Sequence, residues 1–181
     1  MRKPSVVVLR WGHRFRDQRV TAHVALVARA FGASGLVLAD VKDEEVEATV
    51  QKIVANWGGK FHFAMGPPWK ELVKEWRRKG GLVVHLTAYG ENIQTSGVID
   101  RIKASDKDVL VIVGSQKVPG EFFTPRVSHF NVAVGNQPHS EVSSLAVFLD
   151  RLFDGEELNV VFKNAKLRIV PCKHSKNVAK S

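Results

Sequence analysis

A single cysteine, Cys172, stands in a chain of 181 residues. That excludes an intrachain disulfide and any metal site built from several thiolates, and it fits a reducing cytoplasm. No apolar run approaches the ~20 residues of a membrane-spanning helix. The opening Met1-Arg2-Lys3-Pro4-Ser5 leads into a short apolar run interrupted at Arg10, which is not the pattern of a secretory leader. The seven histidines show no metal-ligand spacing, so no metal is expected. No G-x-x-x-x-G-K-[ST] occurs, which argues against a P-loop nucleotide hydrolase. No G-x-G-x-x-G follows the first apolar run, so the usual dinucleotide fingerprint is missing. Repeats, low-complexity tracts and linkers are also lacking, and the length suits one sizeable core and one domain.

Acidic residues are in deficit, 18 against 27 Lys and Arg, for a formal charge of +9. A polyanionic partner is favoured, nucleic acid first. The distribution sharpens this. Arg10, His13, Arg14, Arg16 and Arg19 fall within ten residues, with Asp17 the only acid, and form the candidate RNA-binding segment. A second cluster, Lys70, Lys74, Arg77, Arg78 and Lys79, is diluted by Glu71 and Glu75 and reads as a solvated helix face. Lys173, Lys176 and Lys180 add charge to a tail expected to fray.

Apolar periodicity predicts strands alternating with helices. Strand runs fall at 6–10, 35–39, 61–65, 82–86, 109–113 and 130–134. Helical patterns fall at 18–31, 44–56, 69–79, 92–104 and 142–153, the fourth weakened by Gly97. This is an α/β domain with a largely parallel sheet and helices on both faces. Two β-rich runs, 159–163 and 166–170 around Asn164-Ala165, read as a hairpin appended at the C-terminus.

Three loops follow strands at their carboxyl ends, where open α/β sheets bind ligands. They are Leu86-Thr87-Ala88-Tyr89-Gly90, Gly114-Ser115-Gln116-Lys117-Val118-Pro119 and Val134-Gly135-Asn136-Gln137-Pro138-His139-Ser140-Glu141. In the third, Gly135 permits close backbone approach, Pro138 restricts the chain and Ser140 can cap the next helix. Each loop alone is either a capped turn or a ligand loop. Together they suit an adenosine-like ligand held by backbone groups beside a nucleic-acid substrate. His139-Ser140-Glu141 juxtaposes three triad residue types, but neighbours on a helix do not face one another, so a hydrolase triad is set aside. His62 and His85 read as structural residues of strands. Trp11 reads as a core or interface residue, or as a platform for a splayed base.

These segments resemble the archaeal tRNA ribose 2′-O-methyltransferases that modify cytidine 56 in the T-loop, of the SPOUT superfamily. The resemblance rests on Val8-Leu9-Arg10-Trp11-Gly12-His13-Arg14 with Arg16-Asp17 and Arg19-Val20-Thr21; on His23-Val24-Ala25-Leu26 with Ala28-Arg29-Ala30-Phe31-Gly32-Ala33; and on the three loops with the strands leading into them. It implies a SPOUT-type α/β knot, with a C-terminal trefoil knot that ordinary topology rules would not supply. It implies a methyltransferase unit over residues 1–157, with residues 158–181 as the hairpin and tail of the same domain. A homodimer with active sites near its interface, and a tRNA partner, are also implied. For S-adenosyl-L-methionine the carried-over contacts are Leu86, Gly114, Ser115, Gln116, Lys117, Val118, Val134, Gly135, Asn136, Gln137, Pro138, His139, Ser140 and Glu141. The catalytic candidates are Arg19 first, then Arg29 and Arg14, with Asp17 to orient an arginine or cap a helix. A guanidinium is a poor base, so orientation and charge stabilisation suit it better. The rival readings are a non-catalytic RNA-binding protein on the same fold and a nucleotide-binding hydrolase.

Overall fold

Val109–Val113 is buried at every residue, as a strand covered on both faces must be. In the computed structural model, which describes residues 2–115 and 117–180, it is β5 of a six-stranded sheet. The others are β1 (Val6–Arg10), β2 (Gly35–Leu38), β3 (His62–Met65), β4 (Leu82–Asn92) and β6 (Phe130–Ala133). Their order is β3-β2-β1-β5-β4-β6 and every pairing is parallel. Between and after them run α1 (Gln18–Ala30), α2 (Glu44–Trp57), α3 (Trp69–Arg78), α4 (Val98–Ala104) and α5 (Glu141–Phe153).

The period-two alternation of the strands splits the core in two. Val109, Val111 and Val113 face a cluster with residues of α1, α2, α4 and α5. Leu110 and Ile112 face the other side, with Trp69 and Val73 of α3 and with Phe122 and Val127. Helix α2 starts where Asp43 accepts the amides of Glu45 and Val46, and its acidic first turn complements the helix dipole.

Two features at the C-terminal end set the topology. Strand β6 follows β5 but lies beyond β4, so the β5–β6 connection passes over β4. Strand β4 does not stop at Leu86 as its apolar run predicts. It bulges at residues 87–90, so that Leu86 and Glu91 both stand opposite Val132, and runs on to Asn92. The bulge lies on β6: a Cβ at Gly90 would sit 2.5 Å from the carbonyl of Asn131. The crossing over β4 falls in the C-terminal part of the chain, where the knot is expected.

Three expectations need correction. The helical pattern at 92–104 is helical only from Val98, because Asn92 belongs to β4 and Gly97 is left-handed. The hairpin pairs β7 (Leu167–Val170) with β8 (Asn177–Lys180), not residues 159–163 with 166–170. Residues near 159–166 serve instead as irregular packing on the end of α2. There Gly59 donates to the Lys163 carbonyl and Lys166 to that of Asn56. The tail therefore ends in a strand rather than fraying, closed by a turn in which Ser175 bonds Cys172.

One group in this region carries a cost. Glu157 is 2% exposed and neither carboxylate oxygen has a partner. Burial, with Asp150 adding to it, pushes its carboxyl above the ordinary range. The folded state thus holds this proton more tightly than the unfolded one. Stability is full below the unfolded pKa and is lost as pH rises through the folded pKa. Glu157→Gln removes the charge: its melting temperature should exceed that of the parent at pH 7.5 and match it at pH 4. Parallel melting curves at both pH values would refute this.

Candidate active site

Strands β1, β4, β5 and β6 end together at one edge of the sheet, and the three loops close over it. They enclose a cavity of about 340 Å³, a volume in the range of small-molecule pockets. Residues 85–89 form one wall and Val113, Gly114, Ser115 and Val118 a second. A third is formed by Val134, Gly135, Gln137, Pro138, His139 and Glu141, with Phe123 and Ser144 completing the lining.

Arg10 holds these loops together. Its guanidinium donates to the Gly114 carbonyl at 2.9 Å, to Glu141 Oε1 at 3.1 Å and to Thr21 Oγ1 at 3.3 Å. The side chain is 1% exposed. Burial pulls its pKa down and Glu141 pulls it back up. Arg10 is therefore not a phosphate-binding residue but a buried clamp between the second loop and the third, and its assignment to RNA is corrected.

Asn136 stitches the other seam. Its Nδ2 donates to the carbonyls of Ala88 and Gly90, and its Oδ1 accepts from Asn92, joining the third loop to the first. Within the third loop, His139 Nε2 donates to the Val134 carbonyl, and Ser140 Oγ accepts the Val142 amide as the cap of α5. Gly135 has a φ of +72° with no atom near its missing Cβ. It serves the turn rather than a close approach.

The remaining cofactor candidates divide. Leu86, Gly114, Ser115, Val118, Val134, Gln137 and Pro138 line the cavity. Asn136 and Ser140 support it from behind. Lys117 is exposed on the second loop and outside the lining, and Gln116 lies outside the described residues.

The basic segment also divides. His13 is buried between Thr21 and Asp43, at 2.8 and 2.9 Å, so it too leaves the RNA-binding set. Burial tends to raise the Asp43 carboxyl, but hydrogen bonds from His13 and Gln18 hold it below the usual carboxylate range. Arg14, Arg16 and Arg19 are exposed. Asp17 pairs with Arg14 at 3.0 Å and accepts its backbone amide, and the Arg14 hydrogen bond lowers its pKa. Arg19 stands on the first turn of α1, over a hollow shared with His23 and Glu45, and does not line the cavity.

Arg29 is removed from the catalytic set. Its guanidinium donates to the carbonyls of Trp57 and Gly58 and lies 4.3 Å from the Phe162 ring. It borders Ser34, at the amino-terminal edge of the sheet and away from the cavity. It anchors the C-terminal segment to the end of α2.

Composition did not single out the aromatic parts of the site. Tyr89 is 88% exposed at the cavity mouth, its ring 6.3 Å from that of Phe123. His85 fixes this wall: its Nδ1 bonds Asn131 Oδ1, while Asn131 Nδ2 donates to the Phe123 carbonyl. Burial lowers the His85 pKa and keeps the ring neutral at pH 7. Trp11, the other aromatic candidate, is partly buried and packs edge-on against Phe122 at 5.6 Å.

A parallel sheet whose β5–β6 connection crosses β4, with a cavity walled by three loops at its carboxyl edge, is a fold shared with the SpoU-type RNA methyltransferases. The chain is similar to the crystal structure of the SpoU methyltransferase AviRb from Streptomyces viridochromogenes in complex with AdoMet. The TM-score is 0.60 at 14% identity, over 86% of this chain and 59% of that one. Within that class, residues 57–179 match the family model of the tRNA ribose 2′-O-methyltransferase aTrm56, and the chain belongs to that family. It is 52% identical to the tRNA (cytidine(56)-2′-O)-methyltransferase of Staphylothermus marinus, over 97% of this chain and 93% of the relative. Its identity with the enzyme of the same name from Thermofilum pendens is 53%, over 97% and 96%.

Proposed function

We propose that this protein methylates the ribose 2′-hydroxyl of cytidine 56 in the T-loop of tRNA, with S-adenosyl-L-methionine as donor. The observation that carries the reading is the three-loop cavity clamped by Arg10, in a chain that matches the enzymes of this name along nearly its whole length. The donor, when bound, supplies a methyl group activated by a sulfonium. The lining suits such a cation: it offers the Glu141 carboxylate and, among the described residues, no Lys or Arg side chain. Leu86, Gly114, Val134 and Glu141 are the residues that would hold it. No helix of the described residues is long and apolar enough to cross a membrane, and no group of three His, Cys, Asp or Glu gathers among them as a metal site.

The chain's own contribution is placement. Rigid loops set the donor for in-line attack, and an exposed aromatic mouth at Tyr89 and Phe123 receives the nucleotide. Arg14, Arg16 and Arg19 supply cations for RNA phosphate, since they share the carboxyl edge of the sheet with the cavity. Arg19 remains the proposed residue for orienting the 2′-hydroxyl and stabilising its developing charge. It lies off the cavity of its own subunit, so it acts in a homodimer, on the partner's site. Exposed apolar residues support such pairing: Phe15 and Val20 near the start of α1, Val147 on α5, and Ile169 and Val178 on the hairpin. A tRNA-modifying enzyme of this kind works in the cytoplasm.

Purified protein is expected to move a labelled methyl group from S-adenosylmethionine to unmodified tRNA, and to fail on tRNA altered at cytidine 56. Cofactor binding without any transfer would overturn the enzymatic reading in favour of RNA binding alone. Arg19→Ala should lower kcat about 100-fold with cofactor affinity unchanged. Mixing Arg19→Ala with Glu141→Ala subunits should restore activity. A mixture no better than its parts would sink the action across the interface.

A further inference from the structure

A second hollow, of about 490 Å³, lies between α3 and residues 121–127. Its floor is apolar, built from Trp69, Val73 and Val127, all buried. Its rim carries Lys70, Lys74, Arg77 and Arg126 against a single acid, Glu121. The basic spacing along α3 reads as a solvated face, and part of it is one. Arg78 and Lys79 both bond Glu75, whose carboxyl their hydrogen bonds push down to about 2. The cations at the hollow are differently placed. Lys70 pairs with Glu121 at 3.0 Å across one end. Arg77 spans the other, donating to the carbonyls of Val127 and Pro125, and enters no ion pair among the described residues. Lys74 and Arg126 are exposed and enter no ion pair among the described residues.

The hollow adjoins the cofactor cavity. One stretch of chain separates them: Phe123 lines the cavity and Thr124 the hollow. That stretch leaves the carboxyl edge of β5 and descends to the start of β6, and α3 starts at the carboxyl edge of β3. The groove between them therefore begins beside the cavity and runs down the sheet on the α3 face, opposite α1 and α5.

We infer that this groove is a second contact surface for the RNA substrate, holding the sugar–phosphate backbone next to the methylated nucleotide through Lys74 and Arg126. The inference rests on the methyltransferase reading of the neighbouring cavity. Charge complementarity selects the occupant: a polyanion meets four cations and one acid, and the acid is already occupied by Lys70. Phosphate contacts of this kind add affinity without reading sequence.

The double variant Lys74→Gln/Arg126→Gln should raise KM for tRNA about tenfold, with kcat at saturating tRNA and the affinity for S-adenosylmethionine unchanged. Each lost phosphate contact removes ~0.7–0.9 from the slope of log affinity against log salt, so the slope should fall by about 1.5. Glu121→Gln should act oppositely and tighten tRNA binding, a gain that loss of fold cannot mimic. An unchanged KM and salt slope in the double variant would overturn the inference. So would a Glu121→Gln protein that binds tRNA no better than the parent. Direct binding of unmodified tRNA, read alongside methyl transfer, separates the two ideas. A parent protein that binds tRNA with the groove-dependent slope but transfers no methyl group would fail the enzymatic reading and keep this one.

Discussion

Glu141→Ala is expected to unfold about 6–12 °C below the parent and to lose measurable methyl transfer. The reason lies in what stays behind. Arg10 is buried, and its Nη2 has Glu141 as its carboxylate partner at 3.1 Å. Removing that partner leaves a cation in the interior with only neutral acceptors, Thr21 Oγ1 and the Gly114 carbonyl. Breaking a buried pair from one side costs about 3 kcal/mol or more, and the 32% exposure of the Glu141 side chain puts this pair at the low end. For a domain of this size each kcal/mol moves the melting temperature by ~2–4 °C. The double variant Arg10→Met/Glu141→Leu separates fold from function. It takes out both charges, so most of the stability should return, while the loops lose their clamp and activity stays absent. Calorimetric melting of the three proteins, with a cofactor-binding titration on each, checks the point. A Glu141→Ala protein as stable as the parent would show that the Arg10 charge does not depend on the pair.

Gly90→Ala should weaken S-adenosylmethionine binding more than tenfold and cost about 2 kcal/mol of stability. The added methyl would stand 2.5 Å from the Asn131 carbonyl and 2.6 Å from the Val132 amide nitrogen, which are backbone of β6. The backbone of β6, held by its pairing with β4, cannot give way as a flexible side chain can, so the 87–90 bulge must lift. Ala88 and Gly90 are the residues whose carbonyls Asn136 holds, so the lift is transmitted to the third loop. Isothermal titration with the cofactor measures the loss. Gly80→Ala is the control, because no atom lies within 4 Å of the added Cβ and its φ of +84° brings only local backbone strain. Equal cofactor affinity in Gly90→Ala and the parent would mean that the crossing tolerates a methyl.

The elements readable in the residues are those whose signal is local. The run at 109–113 is apolar at every position and could only be a strand covered on both faces. Ser140 precedes a helix as a cap and acts as such. The three ligand loops were visible as glycine-bearing polar breaks between strand and helix, and two of them line the cavity almost throughout. Where the reading failed, the controlling contact lies far along the chain. β8 carries little β-forming character in Asn177-Val178-Ala179-Lys180, and only pairing with β7 makes it a strand. Residues 159–163 look β-rich, but their backbone is engaged by Gly59 at the end of α2.

The arginines show the division most clearly. Arg10, Arg14, Arg16, Arg19 and Arg29 are equal in the chain as cations near one another. Burial then separates them into a loop clamp, a surface group and an anchor at the opposite edge of the sheet. A charge's neighbours in sequence say that it favours polyanions, because composition acts through the summed field. Its role depends on what it meets, and the carboxylate that Arg10 meets lies 131 residues away. Class, parallel sheet and the position of the ligand loops follow from periodicity and turn chemistry. The crossing over β4, the clamp that closes the cavity and the choice among the arginines come from contacts that exist only once the chain has folded.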